Sequence, residues 1–376
     1  MQRLIALVCN VMHAPTVQSG NKPTSMSRRK VTSIDVAREA GVSQSAVSRA
    51  FTPGASVAEQ TRERVYEAAE RLGYRPNAIA RSLITNRSHM IGMAVSYLDN
   101  HFYPELVQGI SDHCQEQGYH VLLFTAGEGD RADLELQRAL EYQIDGLVLA
   151  SVSLSSEIAD RCHKAGIPVV MVNRVSNAPT ASKVVGSNYL GGRTIAHFLA
   201  DGDHQRIAFL AGIEETSTNR DRERGFLDGL TERDRLLHAR AEGNYNSEQA
   251  GRAAIALMRG DAPPDAIFCA NDHMAIAAMD ALRFELGLRV PEDVSIIGFD
   301  DVGPAQWPTY SITSFSQPVD AMIEATTDTL FSAIEAAVGG DAFEAESIEL
   351  PGALVVRQSC RLPADVEPGG HWAIEN

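Results

Sequence analysis

Gln44, Ser45, Ser48 and Arg49 fall within one short stretch, and together they form a row of hydrogen-bonding side chains long enough to reach a base edge. On a helix they lie off the apolar side made by Val47, Ala50 and Phe51, and arginine is the side chain best matched to the paired acceptors of guanine in a major groove. The same residue types are also common on any solvated helix face. A second set stands where apolar runs end: Asp99 to Tyr103 ("DNHFY"), Asn173 with Arg174, Asn271 with Asp272, and Asp300 with Asp301. Arg220, Arg222 and Arg224 join them at alternate positions in "TSTNRDRERGF". Rings, amides, carboxylates and a forked guanidinium suit a polyhydroxylated ligand, the rings covering its apolar face while Asp and Arg bond its hydroxyls. Asn and Asp also end strands and cap helices for structural reasons alone, which accounts for part of the set.

Other chemistries lack their parts. There is no G-x-x-x-x-G-K-[ST], G-x-G-x-x-G, H-E-x-x-H or G-x-S-x-G, and the eleven histidines show no metal-ligand spacing. Catalysis, a metal and a cofactor are therefore not expected. The five cysteines (Cys9, Cys114, Cys162, Cys269 and Cys360) are scattered and odd in number, which suggests no disulfide framework and fits a reducing cytoplasm. No run approaches the roughly 18 apolar residues of a membrane span. The opening "MQRLIALVCN" is too short in its apolar run for a signal peptide and lacks a small residue before Cys9, so residues 1–30 are expected as a disordered extension.

The formal charge of −16 hides a split. Met26 to Ser88 carries 11 Lys/Arg against 6 Asp/Glu, a net of +5, and residues 1–25 add +2, leaving −16 − 5 − 2 = −23 for the remainder. A small basic module joined to a large acidic one is expected where one end meets a polyanion.

The basic module must position the first set of residues. Thr32 with Asp35 resembles a capping box, and Ile34, Val36, Ala37 and Ala40 make an apolar face ending at Gly41. Ser43 can cap a second helix, and Ser56 with Glu59 a third, whose Val65, Ala69 and Leu72 face inward before Gly73. The "GVS" link between the first two makes a helix-turn-helix arrangement. From Val31 to Leu83 the sequence resembles the DNA-binding headpiece and hinge of the LacI/GalR family of bacterial transcriptional regulators, departing at "TPGAS" (Thr52 to Ser56). That resemblance implies base reading by Gln44, Ser45 and Arg49, phosphate contacts by Thr32, Ser43, Ser48, Thr61, Tyr74 and Asn77, and insertion of Leu83 into a minor groove.

Beyond Ser88, the apolar runs "MIGMAVSYL", "HVLLFTA", "DGLVLAS", "IPVVMVN", "RIAFLAG", "DAIFCAN" and "VSIIGFD" alternate with helical stretches, the pattern of doubly wound parallel α/β sheets. An internal echo between "IDGLVLAS…GIPVVMVNR" and "PDAIFCAND…VPEDVSIIGFDD" suggests two such lobes, with ligands beyond the carboxyl ends of the strands. This region resembles the family's effector-binding core, which is similar to periplasmic sugar-binding proteins. The resemblance implies effector contacts from Phe102, Tyr103, Asn173, Arg222, Asn271, Asp300 and Gln317. Asn173 stands where several members have Asp, and Val319 where some have an aromatic ring, so ligand identity does not transfer.

The expected organisation is a headpiece at 31–75, a hinge at 76–88, an effector and dimerisation core at 89–363, and a tail at 364–376. Within the core, 89–187 and 317–345 form one lobe, and 188–316 and 346–363 the other. The expected protein is a cytoplasmic homodimer on near-palindromic operator DNA, responsive to a sugar-like effector. A solute-binding protein of a transport system is the rival reading.

The hinge "RPNAIARSL" (Arg75 to Leu83) starts as a helix at Pro76 and Asn77, yet its pattern dies within two turns, too short to stand alone in water. If it folds only against its twin and a minor groove, amide exchange across Asn77 to Ile84 slows on operator DNA and returns to free-chain rates on release. Leu83→Ala then weakens DNA binding without lowering core stability.

Overall fold

The computed structural model describes residues 31–52, 54–75, 87–125, 130–152, 155–341, 343–364 and 366–372, in two compact units divided after Ala78. The expected extension and most of the expected hinge, including Asn77 and Leu83, lie outside the described residues.

The first unit holds α1 (Ser33–Ala40), α2 (Gln44–Ala50) and α3 (Glu59–Leu72). Thr32 and Asp35 form the full capping box at α1, Ser43 caps α2 through the Ala46 amide, and Gly41 and Gly73 close α1 and α3 in the left-handed conformation. The third cap is a correction: α3 begins after Ala58 with no side-chain cap, so Ser56 and Glu59 make no capping box. Val36, Ala37, Ala40, Val47, Ala50, Val65, Ala68 and Ala69 fill the small core, while Ile34 stays half exposed. Phe51 seals its edge, with its ring against Tyr66 at 5.1 Å and Tyr74 at 5.9 Å.

The second unit contains two sheets flanked by helices. The first includes β1 (Met90–Val95), β2 (His120–Thr125), β3 (Gly146–Ala150), β4 (Val169–Val172), β5 (Ser182–Gly186) and β11 (Ser347–Leu350), in the order β11-β5-β4-β3-β1-β2. All of its pairings are parallel. Around it lie α4 (Phe102–Glu116), α5 (Asp130–Glu141), α6 (Ser156–Lys164) and the long α11 (Val319–Gly339). The second sheet takes β6 (Ile207–Ala211), β7 (Ala239–Glu242), β8 (Ala266–Cys269), β9 (Ser295–Asp300), β10 (Thr313–Ser316), β12 (Ala353–Val355) and β13 (His371–Trp372), in the order β13-β12-β10-β9-β8-β6-β7. With it go α7 (Asn188–Asp201), α8 (Ser217–Glu232), α9 (Ser247–Met258) and α10 (Asp272–Glu285). The buried strands are Val/Ile/Leu-rich because both sheet faces are covered.

Two boundaries differ from expectation. Residues 347–350 belong to the first lobe's sheet, hydrogen-bonded along β5, and not to the second lobe. This edge strand, "SIEL", is half exposed and carries Glu349, so it lacks the apolar run of a covered strand. The tail also takes part in the fold: β13 pairs with β12, and Trp372 meets Phe198 edge-on at 5.6 Å.

The chain thus passes between lobes after Gly186, after Ser316 and after Leu350. Ser187 ties two of these passages, its amide to Leu350 O (3.0 Å) and its Oγ to the Gly352 amide (3.1 Å). In the second lobe α7 and α8 touch backbone to backbone: a Cβ at Gly192 would stand 2.1 Å from Arg222 O, and one at Gly225 1.9 Å from Tyr189 O.

At the opposite end of the second sheet, His204 is fully buried, with Nδ1 donating to Leu199 O and Nε2 facing Ser295 Oγ, while Arg361, Asp265 and Asp203 stand around it. Burial pushes its imidazole below the ordinary 6.5. The unfolded chain therefore binds the extra proton first, so the stability is fully present above about pH 6.5 and falls as pH drops below it. Between about pH 7.5 and about pH 5.5, Tm should fall less in His204→Gln than in the unaltered protein, in which the other histidines are the same.

Candidate functional site

On the first unit Gln44, Ser45, Ser48 and Arg49 all project from α2 to solvent, as do Thr32 and Ser43 at the caps. Gln44 Nε2 donates to Ser33 Oγ (3.1 Å) and Ser43 Oγ meets Ser45 Oγ (2.9 Å), so this row is partly pre-arranged by its own hydrogen bonds. Arg49 has no ion pair among the described residues. Thr61 is half-buried with Oγ1 facing Arg64, and the Tyr74 ring is committed to Phe51. A short helix with an exposed polar row, held over a compact core by two other helices, fits a major groove.

In the second unit the strand ends converge. Tyr97 follows β1, Ser151 follows β3, Asn173 follows β4 and Asp300 ends β9, and all four have positive φ (59°, 63°, 67° and 103°). Left-handed backbone at non-glycine residues costs about 1–3 kcal/mol each. These residues stand at carboxyl ends of strands in both sheets, and Tyr97, Asn173 and Asp300 among them line the space between the lobes. There Tyr97, Asn100, Tyr103, Asn173 and Arg174 of the first lobe face Thr218, Arg222, Tyr245, Asn271 and Asp300 of the second across a cavity of only about 10 Å³, the room of about one water.

A continuous polar chain joins the lobes. Asn173 Nδ2 donates to Tyr103 Oη (2.9 Å), Gln317 Nε2 donates to Asn173 Oδ1 (3.2 Å) and Asp300 Oδ1 (2.8 Å), and Arg222 donates to the same Asp300 oxygen (2.9 Å). Arg222 is 2% exposed and donates also to Asn188 Oδ1 (2.8 Å) and Ala270 O (2.5 Å), its guanidinium lying 3.7 Å from the Phe299 ring centre. Burial pushes the Asp300 carboxyl up, and Arg222 and Gln317 act against that rise. Beneath it Asp272 accepts from Ser314 Oγ (2.7 Å) and the Val302 amide (3.0 Å), bracing the turn after β9. Burial first, then repulsion from Asp300, drives the Asp272 carboxyl well above its usual range.

The structure brings Tyr103, Asn173, Arg222, Asn271 and Asp300 to the cavity, and Gln317 into the polar chain behind it. Asn271 also caps α10 through the Met274 amide, so its structural role holds as well. Phe102 is corrected: it is 1% exposed, packs edge-on against Tyr103 at 5.3 Å, and belongs to the apolar core rather than the cavity wall. Adjacent residues on a helix point about 100° apart, and here Tyr103 takes the direction of the cavity while Phe102 takes that of the core. Tyr97, Thr218 and Tyr245 were not among the expected contacts. Tyr97 closes "MIGMAVSY", where its position after a strand was a usable signal; Tyr245 lies in a loop after the half-exposed β7, where no pattern pointed to it.

Among the described residues no group of His, Cys, Asp or Glu could hold a metal ion, and no helix is long and apolar enough to cross a membrane.

Residues 33–77 match the model of bacterial regulatory proteins of the lacI family, and residues 195–360 that of a periplasmic binding protein-like domain. The HTH-type transcriptional repressor PurR of Vibrio vulnificus (strain CMCP6) is 35% identical over 288 residues, 76% of this chain and 86% of that protein. The chain belongs to the lacI family. The probable HTH-type transcriptional repressor ExuR of Bacillus subtilis (strain 168) is 32% identical over 297 residues, 77% of this chain and 87% of that one. Among solved structures, the Lac repressor dimer bound to operator and the anti-inducer ONPF superposes with a TM-score of 0.78 at 28% identity, covering 88% of this chain and 99% of that one. A CelR–cellobiose complex matches with a TM-score of 0.64 at 28% identity, over 88% of this chain and 100% of that one. As a lacI-family protein the chain is a DNA-binding transcriptional regulator, not a transport protein or an enzyme.

Removing one partner of a buried, hydrogen-bonded ion pair costs about 3–5 kcal/mol, because the other is left charged and dry. Arg222→Ala should therefore lower the Tm of the core by about 10 °C, at about 2–4 °C per kcal/mol. The double variant Arg222→Met/Asp300→Leu should lose less than the two single changes summed; strict additivity in calorimetry would show that the pair is not coupled.

Proposed function

We propose that this lacI-family regulator is a cytoplasmic repressor that binds near-palindromic operator DNA as a homodimer and is controlled by a small polyhydroxylated ligand, a sugar or sugar derivative, between its lobes. The observation that carries the reading is the chain from Tyr103 through Asn173, Gln317 and Asp300 to Arg222, which crosses from one lobe to the other on side-chain hydrogen bonds. A ligand that enters must replace or bridge these bonds. It therefore has a different free energy in each arrangement of the lobes, which is the requirement for allosteric control. Gln44, Ser45 and Arg49 read bases in this scheme, while Thr32, Ser43, Ser48, Thr61 and Tyr74 meet phosphates, supplying affinity that falls with salt.

Arg49→Ala tests the DNA half. Loss of a bidentate guanine contact is worth about 1–3 kcal/mol, so operator affinity should drop about tenfold to a hundredfold, with little change for unrelated DNA. Equal losses on both DNAs in a mobility-shift titration would make Arg49 a phosphate contact instead. The ligand half is tested by screening sugars, sugar acids and sugar phosphates for a shift in Tm, then asking whether each binder changes operator affinity.

A further inference from the structure

Arg174 stands apart from the polar chain. It follows β4, is 7% exposed, and its guanidinium carbon lies 5.4 Å from the ring centre of Tyr97 in the first lobe and 5.6 Å from that of Tyr245 in the second. Its side chain makes one long hydrogen bond, from Nη1 to Ser151 O at 3.4 Å, and its Nε is buried with no partner. No carboxylate pairs with it among the described residues. Arg222, by contrast, is matched by Asp300, so that pair adds no net charge to the cavity. Asp99, in the loop after β1, is 70% exposed and faces His273 at 3.8 Å.

Among the described residues, the cavity wall therefore holds one buried cation that no carboxylate neutralises. An unpaired buried charge is costly, and two aromatic faces at more than 5 Å offset only part of that cost. A second feature acts in the same direction. The Val175 amide donates to Ser217 Oγ (3.0 Å), which sets the first turn of α8 beside Arg174, and Thr218 on that turn lines the cavity with Oγ1 3.1 Å from Tyr245 Oη. The opening turn of a 16-residue helix presents amide donors and the positive end of its dipole.

We propose that the ligand of this cleft is an anion, a compact polyhydroxylated molecule bearing a carboxylate or phosphate group that Arg174 holds between Tyr97 and Tyr245, beside the first turn of α8. The proposal rests on the reading of the cleft as the effector site and narrows it to acidic ligands. Arg174 and Tyr97 belong to the first lobe and Tyr245 and the first turn of α8 to the second, so these groups surround the anion together only when the lobes are closed on it.

Matched sets test this by calorimetric titration: glucose against glucuronate, gluconate and glucose 6-phosphate, with the corresponding galactose series, on the unaltered protein and on Arg174→Met and Arg174→Gln. At least one acid should bind tenfold or more tighter than its neutral parent, and the preference should vanish in both variants. The acid that wins separates carboxylate from phosphate. Without ligand, both variants should melt at or above the temperature of the unaltered protein, since they lose an uncompensated charge. A neutral sugar binding as tightly as its acids, or an acid preference that survives in both variants, overturns the anion site while leaving the cleft as a sugar site. If no sugar of either kind binds, the polyhydroxylated reading fails separately, and sulfate decides the anion site. A sulfate-induced rise in Tm larger in the unaltered protein than in Arg174→Met supports the site; equal rises sink it.

Discussion

The Arg222 guanidinium is the group around which the second unit is arranged. Burying a charge of that size demands a carboxylate, further hydrogen-bond acceptors and a flat surface to lie on, and here Asp300, Asn188 with Ala270 O, and the Phe299 ring supply them. Each supplier imposes its own condition. Asp300 reaches the guanidinium at the end of β9, with φ of 103° and the turn beyond it braced by Asp272, and α8 can bring Arg222 there only because Gly192 and Gly225 let it touch α7. The pair is then passed on through Gln317, which leaves the chain at a point where it crosses between lobes.

That arrangement makes the interlobe region polar, strained and dry together. Positive φ values at Tyr97, Ser151, Asn173 and Asp300 raise the energy of the folded chain at one place, and the apolar sheets behind them hold the strain in position. With room for about one water, the cavity cannot admit a sugar-sized ligand without movement of the lobes.

Much of this was legible in the residues. The covered strands announced themselves as Val/Ile/Leu runs, the caps at Thr32 and Ser43 and the stops at Gly41 and Gly73 as local patterns, and the lacI-family resemblance supplied the cleft positions. Edge and mixed strands were silent, because β5, β7, β10 and β11 are short and either half exposed or rich in Ser, Thr and charge. Phe102 shows the limit on the site side: its residue type suits a cleft, but only the direction of the helix decides which of two neighbouring rings faces it. Arg174 shows the converse, since it was visible as a strand-end residue, whereas its lack of a partner is a property of three-dimensional packing alone.

The threefold passage of the chain between the lobes bears on how such proteins can be recombined. Neither lobe is a continuous piece of sequence: the first is assembled from segments on both sides of the second, and Ser187 stitches the first and third passages together. Exchanging one lobe for a relative's would need three junctions, two of them at the passages that Ser187 ties together. Exchanging the whole second unit needs one, at the division after Ala78. A gene cut there swaps the sensor while keeping the helix-turn-helix intact, so new pairings of signal and DNA site are reached by a single crossover, whereas a new sensor has to be made by point substitution inside the cleft.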